Sequence, residues 1–570
     1  MLVLPQMSNF DADVIVVGAG PVGAGLAGDL GRRKISTIVL EQTDGIFRDP
    51  RMHAVNIRTM EFMRRWGLEE RLRNCGWPQD HGQDIIFATS LDGYELGRIP
   101  WPCIADMAPP PESPTFAQRC PQSWFNPILL DFARAQPCTD VRLQWRYDSF
   151  IQHQDFVEVH ATNLVDDTKH TLRARYLVGC DGGKSRIRDA LGVDRESSPH
   201  YGYAAEAIFH SRELASLHNK GNAGRYTMVR PEGMSISLLP FDGKDLYRLT
   251  LMVEASKVSI ADMHKAIKSL VAKDFEYELT TPVLGWINRE TNASKYRVDR
   301  VLLAGDAAHG MPPTGGFGMN TGLIDAADLG WKLAAVVQGW GGDALLDAYD
   351  VERRNAVART VRIAGSIYRD WVAMAPVLKE GTHLLTVDSP EAEEWRRATG
   401  KRMADTFRRE FNPIGGALGY RYEASPICIP DGTEAPFDSV IEYEQTARPG
   451  HRAPHVWLDD GKSTLDLYGD EFVFLDASGD ASDVALSFEA AANRLGIPFS
   501  IHRSDNIRLA DAYDASFVLV RPDGHVAWRS KSGFGFDASK VLAVACGIRD
   551  RAMQPRTDIH TTAQKEEALS

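Results

Sequence analysis

The run Val14-Ile15-Val16-Val17-Gly18-Ala19-Gly20-Pro21-Val22-Gly23 constrains this chain more than any other stretch. Four apolar, β-branched residues end in a turn of spaced glycines and open onto an alanine- and glycine-rich segment. That order predicts a buried strand, a phosphate-sized turn and a helix. Gly18 permits the tight turn, Gly20 lets the backbone approach a pyrophosphate, and Gly23 lets the helix lie close on the strand. With Pro21 and Val22 they bring a helix N-terminus against the phosphates' negative charge. The next strand, Thr37-Ile38-Val39-Leu40, leads to Glu41 and Gln42, where an acidic residue accepts hydrogen bonds from the adenosine ribose hydroxyls. A bound dinucleotide is the expectation.

At 570 residues the chain exceeds a single core, and about three or four domains are expected. A net charge of -13 disfavours nucleic acid, whose phosphates call for a surface rich in Lys and Arg. Met1-Leu2-Val3-Leu4-Pro5 has no basic flank and too short an apolar run for a signal peptide, and glycine or charge interrupts every long apolar run. A soluble, cytoplasmic protein without membrane contact is expected. The seven cysteines form neither C-x-x-C nor a zinc spacing, and the 16 histidines never pair as H-x-x-x-H with an acidic partner, so reduced thiols and no metal are expected.

Two further strand, turn and helix units follow. Tyr176-Leu177-Val178-Gly179-Cys180-Asp181-Gly182 places a carboxylate at the carboxyl edge of a sheet, where doubly wound folds bind ligands, and Ser185 and Arg188 follow it. Arg300-Val301-Leu302-Leu303-Ala304-Gly305-Asp306 does the same. After it, Pro313-Thr314-Gly315-Gly316-Phe317-Gly318-Met319-Asn320 reads as a glycine-spaced loop that offers backbone N-H groups to an electron-rich ligand. Ahead of these two units Leu143-Gln144-Trp145 reads as part of a strand, and Gln122 is the polar residue in the first turn of an otherwise apolar helix. From about Tyr201 to Val298 alternating runs such as Leu246-Tyr247-Arg248-Leu249-Thr250-Leu251 predict an antiparallel sheet that covers a cavity with one face.

The glycine fingerprint, Asp181-Gly182 and Gly305-Asp306, in this order and spacing, resemble a class A flavoprotein aromatic hydroxylase of the para-hydroxybenzoate and phenol hydroxylase type. The resemblance runs through about the first 360 residues. It implies an α/β chain: an FAD-binding Rossmann-like domain interleaved with an antiparallel-sheet substrate domain, plus a C-terminal thioredoxin-like domain without C-x-x-C. The implied division is 1-83, 111-198 and 298-365 for the FAD-binding parts, and 84-110 and 199-297 for the substrate domain. A helical connection at 366-430, a thioredoxin-like domain at 431-550 and a flexible tail at 551-570 complete it. A homodimer or larger homo-oligomer belongs to the same expectation.

The family also implies FAD as the bound cofactor, NAD(P)H as a transient co-substrate and O2. Its FAD contacts map onto Gly18, Gly20, Pro21, Val22, Gly23, Glu41, Gln42, Arg51, Gln122, Asp181, Gly182, Asp306, Gly316, Gly318, Met319 and Asn320, with Pro313 beside the isoalloxazine. His53-Ala54-Val55-Asn56-Ile57-Arg58-Thr59-Met60-Glu61 is similar to the H-x-x-N-x-R-T-M-E pattern of the bacterial branch that hydroxylates substituted phenols. There the histidine acts on the substrate hydroxyl. A phenol with a pKa of about 10 is mostly neutral at pH 7, whereas its phenolate attacks the distal oxygen of a C4a-hydroperoxyflavin far better, and an imidazole can take that proton. His53 and Pro313 are therefore the expected catalytic residues for hydroxylating a phenolic aromatic substrate. Epoxidation or Baeyer-Villiger oxidation of a polycyclic substrate, and a catalytically silent flavin-binding scaffold, stand as alternatives. No W-x-W-x-I-P segment of a flavin halogenase is present.

Overall fold

The computed structural model describes residues 10–48, 52–230, 233–253, 258–478 and 482–548. Arg51 and the tail at 551–570 lie outside these residues.

The first sheet explains why three distant motifs share one site. Strand Ala12–Val17 pairs in parallel with Thr37–Glu41 on one side and with Thr168–Gly179 on the other, and the latter pairs in parallel with Val301–Leu303. The register sets Val17 opposite Leu40 and Gly179, and Gly179 opposite Leu303. Each motif begins at the next residue, so the turns at Gly18, Cys180 and Ala304 stand in a row at one carboxyl edge. Helices Pro21–Arg32, Gln122–Arg134 and Phe317–Gln338 close the sheet with a continuous apolar core that includes Ile15, Leu26, Leu129 and Leu323.

The second sheet runs Glu278–Leu279, Gly202–His210, Leu246–Val253, Gly233–Pro240, Arg225–Arg230, Ile85–Ala88 and Glu95–Ile99, with Leu284–Asn288 paired to Gly202–His210. Strand alternation divides its residues between two faces. Leu249 and Leu251 pack with Met263 and Ile267 of helix Ile260–Lys268, whereas Arg248, Thr250 and Met252 line a cavity between this sheet and the first.

The last part of the chain forms a four-stranded sheet in the order Phe499–Arg503, Phe472–Asp476, Phe517–Val520, Val526–Ser530, flanked by helices Asp483–Leu495 and Ala538–Ala545. Its hairpin at Arg521-Pro522-Asp523-Gly524-His525 enters the first body. Arg521, 0% exposed, bonds Glu352 at 2.6 Å and Asp328 at 3.3 Å, while Lys332 reaches Asp328 at 2.7 Å.

Three local expectations change. Gln144 has φ 59°, so the chain breaks between strands Thr139–Leu143 and Trp145–Gln152 instead of running through. Gly318, Met319 and Asn320 belong to the first turn of helix Phe317–Gln338, and Thr314–Gly316 form a short 3-10 turn before it. A single helix, Ala344–Glu380, runs across the expected division at 365 and through Pro376. Its buried stripe of Val361, Ala364, Ile367, Met374 and Leu378 keeps helical spacing past that point, and packing outweighs the proline.

Candidate active site

One cavity of about 1720 Å³ extends from the carboxyl edge of the first sheet to the inner face of the second. At its first end the glycines act as their spacing predicts. Gly18 has φ 100°, and a Cβ there would lie 2.4 Å from the Cys180 carbonyl oxygen; a Cβ on Gly23 would lie 1.9 Å from the carbonyl oxygen of Gly18. Gly20, Gly182 and Gly318 meet no atom within 4 Å in the same test, so they leave open the room that a close ligand needs. Gly20 caps helix Pro21–Arg32, and left-handed Gly316 caps helix Phe317–Gln338. Neither end has a side-chain cap, so both point free N-H groups toward the same space.

Glu41 closes the second strand and lines the cavity, its Oε2 accepting from the Ala19 N-H at 2.9 Å and its Oε1 from Thr43 at 2.8 Å. Exposed Asp306 lines the same wall beside Pro21 and Val22. Gln42 is exposed at the edge and Asp181 is turned away. Asp181 accepts from the Ser185 hydroxyl at 2.6 Å and from the N-H groups of Arg186 at 2.8 Å and Ile187 at 3.2 Å. It fixes the turn that presents Gly182. Arg188 staples that turn to the third motif by donating to the Ala307 carbonyl at 2.9 Å.

The middle of the cavity is built by a two-residue ladder. Strand Ala54–Val55 pairs with Gln118–Arg119; the Cys120 N-H donates to the His53 carbonyl and the Gln122 N-H to the Met52 carbonyl, each at 2.8 Å. This gathers His53, Arg119 and Gln122 in the cavity that Pro313, Gly316 and Met319 also line. Asn320 is fully engaged in holding the two sets together. Its Oδ1 accepts from the Asn56 N-H at 3.0 Å and its Nδ2 donates to the carbonyls of Ala54 at 3.1 Å and Gly316 at 2.7 Å.

His53 is buried, and an Arg119 guanidinium N-H donates to its Nε2. An arginine has only donors, so Nε2 is an acceptor and the imidazole is neutral. Burial, then the charges of Arg119, Arg248 and Arg225, hold its pKa well below 6.5. Arg225 bonds Glu410 at 2.8 Å and Ser237 at 2.8 Å, and Arg248 stands 3.8 Å from Glu206. Among the described residues Arg119 has no carboxylate partner; it holds the Gln83 amide oxygen at 3.0 Å. Burial and the two neighbouring arginines push its pKa down to about 10. These three cations were missed in the sequence. Arg248 had a signal, a charge at an inward position of an alternating strand, but only the sheet pairing brings it to Arg225 and Arg119.

Arg58 and Glu61 of the R-T-M-E pattern do not face the cavity. Asn56 caps helix Ile57–Arg65 by accepting from the Thr59 N-H at 2.9 Å, and the helix turns Arg58 and Glu61 toward the C-terminal part of the chain. Glu61 accepts from Arg58 at 2.6 Å, from Arg452 at 3.1 Å and from Ser113 at 2.7 Å, and Arg58 reaches the Asp523 carbonyl at 3.3 Å.

Residues 11–364 match the FAD binding domain family and residues 446–547 match the C-terminal domain of aromatic-ring hydroxylases. The chain belongs to the class A FAD-dependent aromatic hydroxylases. This aromatic hydroxylase is 30% identical to phenol 2-monooxygenase of Pseudomonas sp. (strain EST1001), over 93% of the chain and 91% of that enzyme. It is 32% identical to aklavinone 12-hydroxylase RdmE of Streptomyces purpurascens, over 96% of the chain and 100% of that enzyme. Among solved structures, the rebeccamycin biosynthetic enzyme RebC with reduced flavin matches with a TM-score of 0.85 and 35% identity, over 94% of this chain and 99% of that one. The hydroxylase is thus a flavoprotein monooxygenase that binds FAD and uses O2 with a reduced nicotinamide. The open glycine cradle, the two uncapped helix ends and the carboxylates of Glu41 and Asp306 fit that dinucleotide. No helix among the described residues is long and apolar enough to cross a membrane.

Proposed function

We propose that this monooxygenase hydroxylates a phenolic aromatic substrate bound between His53 and the arginines of the second sheet. One observation carries the reading: a neutral histidine and a half-buried arginine without a carboxylate partner among the described residues meet in the same cavity as the dinucleotide cradle. Gly20, Glu41, Asp306, Gly316 and Gly318 would hold FAD, with Gln122 and Pro313 in the same cavity. When bound and reduced, FAD would activate O2, from which the inserted oxygen atom comes.

The remaining steps belong to the chain. A cation lowers the cost of forming an anion beside it, so Arg119 stabilises the phenolate. His53 Nε2 receives the phenolic proton as Arg119 turns from the imidazole to the new oxyanion. The two titrations are coupled, because a phenolate in the cavity offsets the cationic field that otherwise keeps the imidazole neutral. Phe241 packs against the imidazole, their ring centroids 6.0 Å apart, and Trp371 adds an apolar ring to the cavity lining.

The reduced nicotinamide docks at the solvent edge of the cavity, where Lys184, Arg195 and Arg289 face outward. None of the three has a carboxylate partner among the described residues, against a chain of net charge -13. Burial, then the charges of Arg188 and Arg289, lowers the pKa of Arg195 against the opposing effect of Asp189. A dinucleotide's phosphates supply the missing charge.

The test is a panel of phenols given to the FAD-loaded protein with NADH or NADPH under labelled O2. Faster nicotinamide oxidation and one labelled hydroxyl in the product support the reading; a ketone oxidised to an ester, or an epoxide, would replace it.

A further inference from the structure

The cavity does not end at His53 and Arg119. A Cβ on Gly224 would lie 2.9 Å from an Arg119 guanidinium nitrogen, and the next residue, Arg225, holds its guanidinium carbon 5.0 Å from the centre of the Trp371 ring. Beyond Arg225 the lining is a trough drawn from helix Ala344–Glu380 and from the second sheet. Tyr368, Trp371, Val372 and Ala375 fall at helical spacing, so they share one face, and all four line the trough. The sheet contributes Met252, Leu284 and Ile287 to the same lining. Val372 is 54% exposed and Ile287 45%, so large apolar side chains stand uncovered there. Single exposed apolar residues are ordinary, whereas apolar side chains gathered in one concavity mark a binding groove. This helical wall lies outside both family matches, the first of which ends at 364 and the second of which starts at 446.

The trough is stiff, and its charges are matched. Trp371 stacks on Phe407 with ring centroids 3.9 Å apart, and Tyr368 stacks on Tyr201 at 5.5 Å. Glu410 accepts from the Trp371 indole N-H and from Arg225 at 2.8 Å, and Glu206 stands 3.8 Å from Arg248. Of the three arginines at the substrate end, only Arg119 has no carboxylate partner among the described residues, which leaves a place for one negative charge, the phenolate. The room also exceeds what one ring requires. A pocket for a single small molecule measures about 300 to 1,000 Å³. At about 1720 Å³ this cavity has space for the dinucleotide and a second molecule of several rings.

We infer that the trough is a subsite for the remote part of the substrate, and that this part is an uncharged system of fused rings. The substrate class is therefore a polycyclic phenol without a carboxylate: its phenolic ring lies at His53 and Arg119, and its further rings lie on Trp371, Val372 and Ala375. Stacked, fixed walls favour rings over a flexible chain, because a rigid ligand loses little conformational freedom on binding. A carboxylate in the trough would meet Glu410 and Glu206, with both nearby arginines already engaged. This inference rests on the phenol reading given above.

The experiment measures binding apart from turnover. FAD-loaded protein is titrated without nicotinamide, and the flavin difference spectrum gives Kd for phenol, naphthol, anthrol, an octylphenol with the same carbon count as anthrol, and a hydroxyanthracene carboxylic acid. Affinity should rise on the order of 10-fold with each added ring as apolar area is buried. The octylphenol should bind more weakly than anthrol, and the carboxylic acid more weakly by at least about 10-fold. Ala375→Trp, which fills the trough, should erase the advantage of anthrol over phenol while leaving the Kd of phenol as it was. Glu410→Gln should recover binding of the carboxylic acid by about 10-fold. Both variants should keep FAD. Equal Kd values for phenol and anthrol, an equal loss of both in Ala375→Trp, an octylphenol that binds as tightly as anthrol, or an acid that binds wild type as tightly as anthrol would overturn the inference. Ring-dependent binding with no hydroxylation once nicotinamide and O2 are added would instead overturn the phenol reading and support the subsite.

Discussion

Arg119 donates to the Nε2 of His53, so the imidazole best placed to accept a substrate proton is held neutral by a cation. Its lowered pKa has a direct kinetic consequence. The pH profile of kcat/KM should lack an acid limb near 6.5 from His53, because this group is already deprotonated there. A limb at that pH that disappears in His53→Ala would contradict the arrangement.

The same pair separates two roles by mutation. His53→Ala should slow oxygen transfer by about 10² to 10⁴ at saturating substrate, the range for a positioned acid or base, with FAD retained and the reaction partly rescued at high pH. Arg119→Met should shift the ionisation of a bound chromogenic phenol upward, seen as loss of phenolate absorbance at neutral pH. Stopped-flow traces with product and peroxide counted separately check both. A normal transfer rate in His53→Ala would end its assignment as the base.

Asp306 presents its carboxylate at the cavity wall, where FAD hydroxyls are expected to donate to it. Asp306→Ala should weaken FAD binding by about 1 to 3 kcal/mol, since donors are left unpaired. Flavin absorbance per protein after dilution and gel filtration reads this directly, and unchanged occupancy would remove Asp306 from the site.

Charge reversal at the solvent edge, in Lys184→Glu or Arg289→Glu, should raise KM for the reduced nicotinamide by roughly 5- to 30-fold, equivalent to about 1 to 2 kcal/mol, with the effect shrinking at high salt. FAD content and product per nicotinamide should stay as in the wild type. An equal rise in KM for the phenol would point to a general disturbance of the cavity.

Glu61 joins helix Ile57–Arg65 to the C-terminal part through Arg58 and Arg452. Burial by itself would raise its carboxyl; Arg452 and Arg58 overcome this and hold it down to about 2, against an ordinary 4.5. A depressed carboxylate contributes stability that is complete above the unfolded value and is lost as pH falls through the folded one. The contribution should thus persist at pH 5 and fade between about 4.5 and about 2. Arg452→Met should lower stability by about 3 to 5 kcal/mol, because it leaves a buried charge short of a partner. Denaturation curves at pH 7 and pH 3 measure both effects, and a difference between mutant and wild type that stays constant with pH would be the wrong outcome.

The local chemistry of the chain determined the dinucleotide end of this protein. Gly18, Gly20 and Gly23 act within one turn, and each answers to a steric demand a few residues away, so spacing alone carries their meaning. Strand ends with Asp181-Gly182 and Gly305-Asp306 were legible for the same reason. Their placement in a row was decided by the register of parallel strands separated by long crossovers. Asp181 shows the difference: its motif was readable, but only the folded turn shows the carboxylate spent on Ser185, Arg186 and Ile187. Arg58 and Glu61 were read with His53 because they adjoin it in sequence, yet helical rotation points Glu61 at Arg452 and Arg58 at the Asp523 carbonyl instead. The substrate end was decided by tertiary structure almost entirely. Arg119, Arg225 and Arg248 come from three separate strands, and no local spacing encodes their meeting; sheet pairing and burial create the cationic field that sets the state of His53.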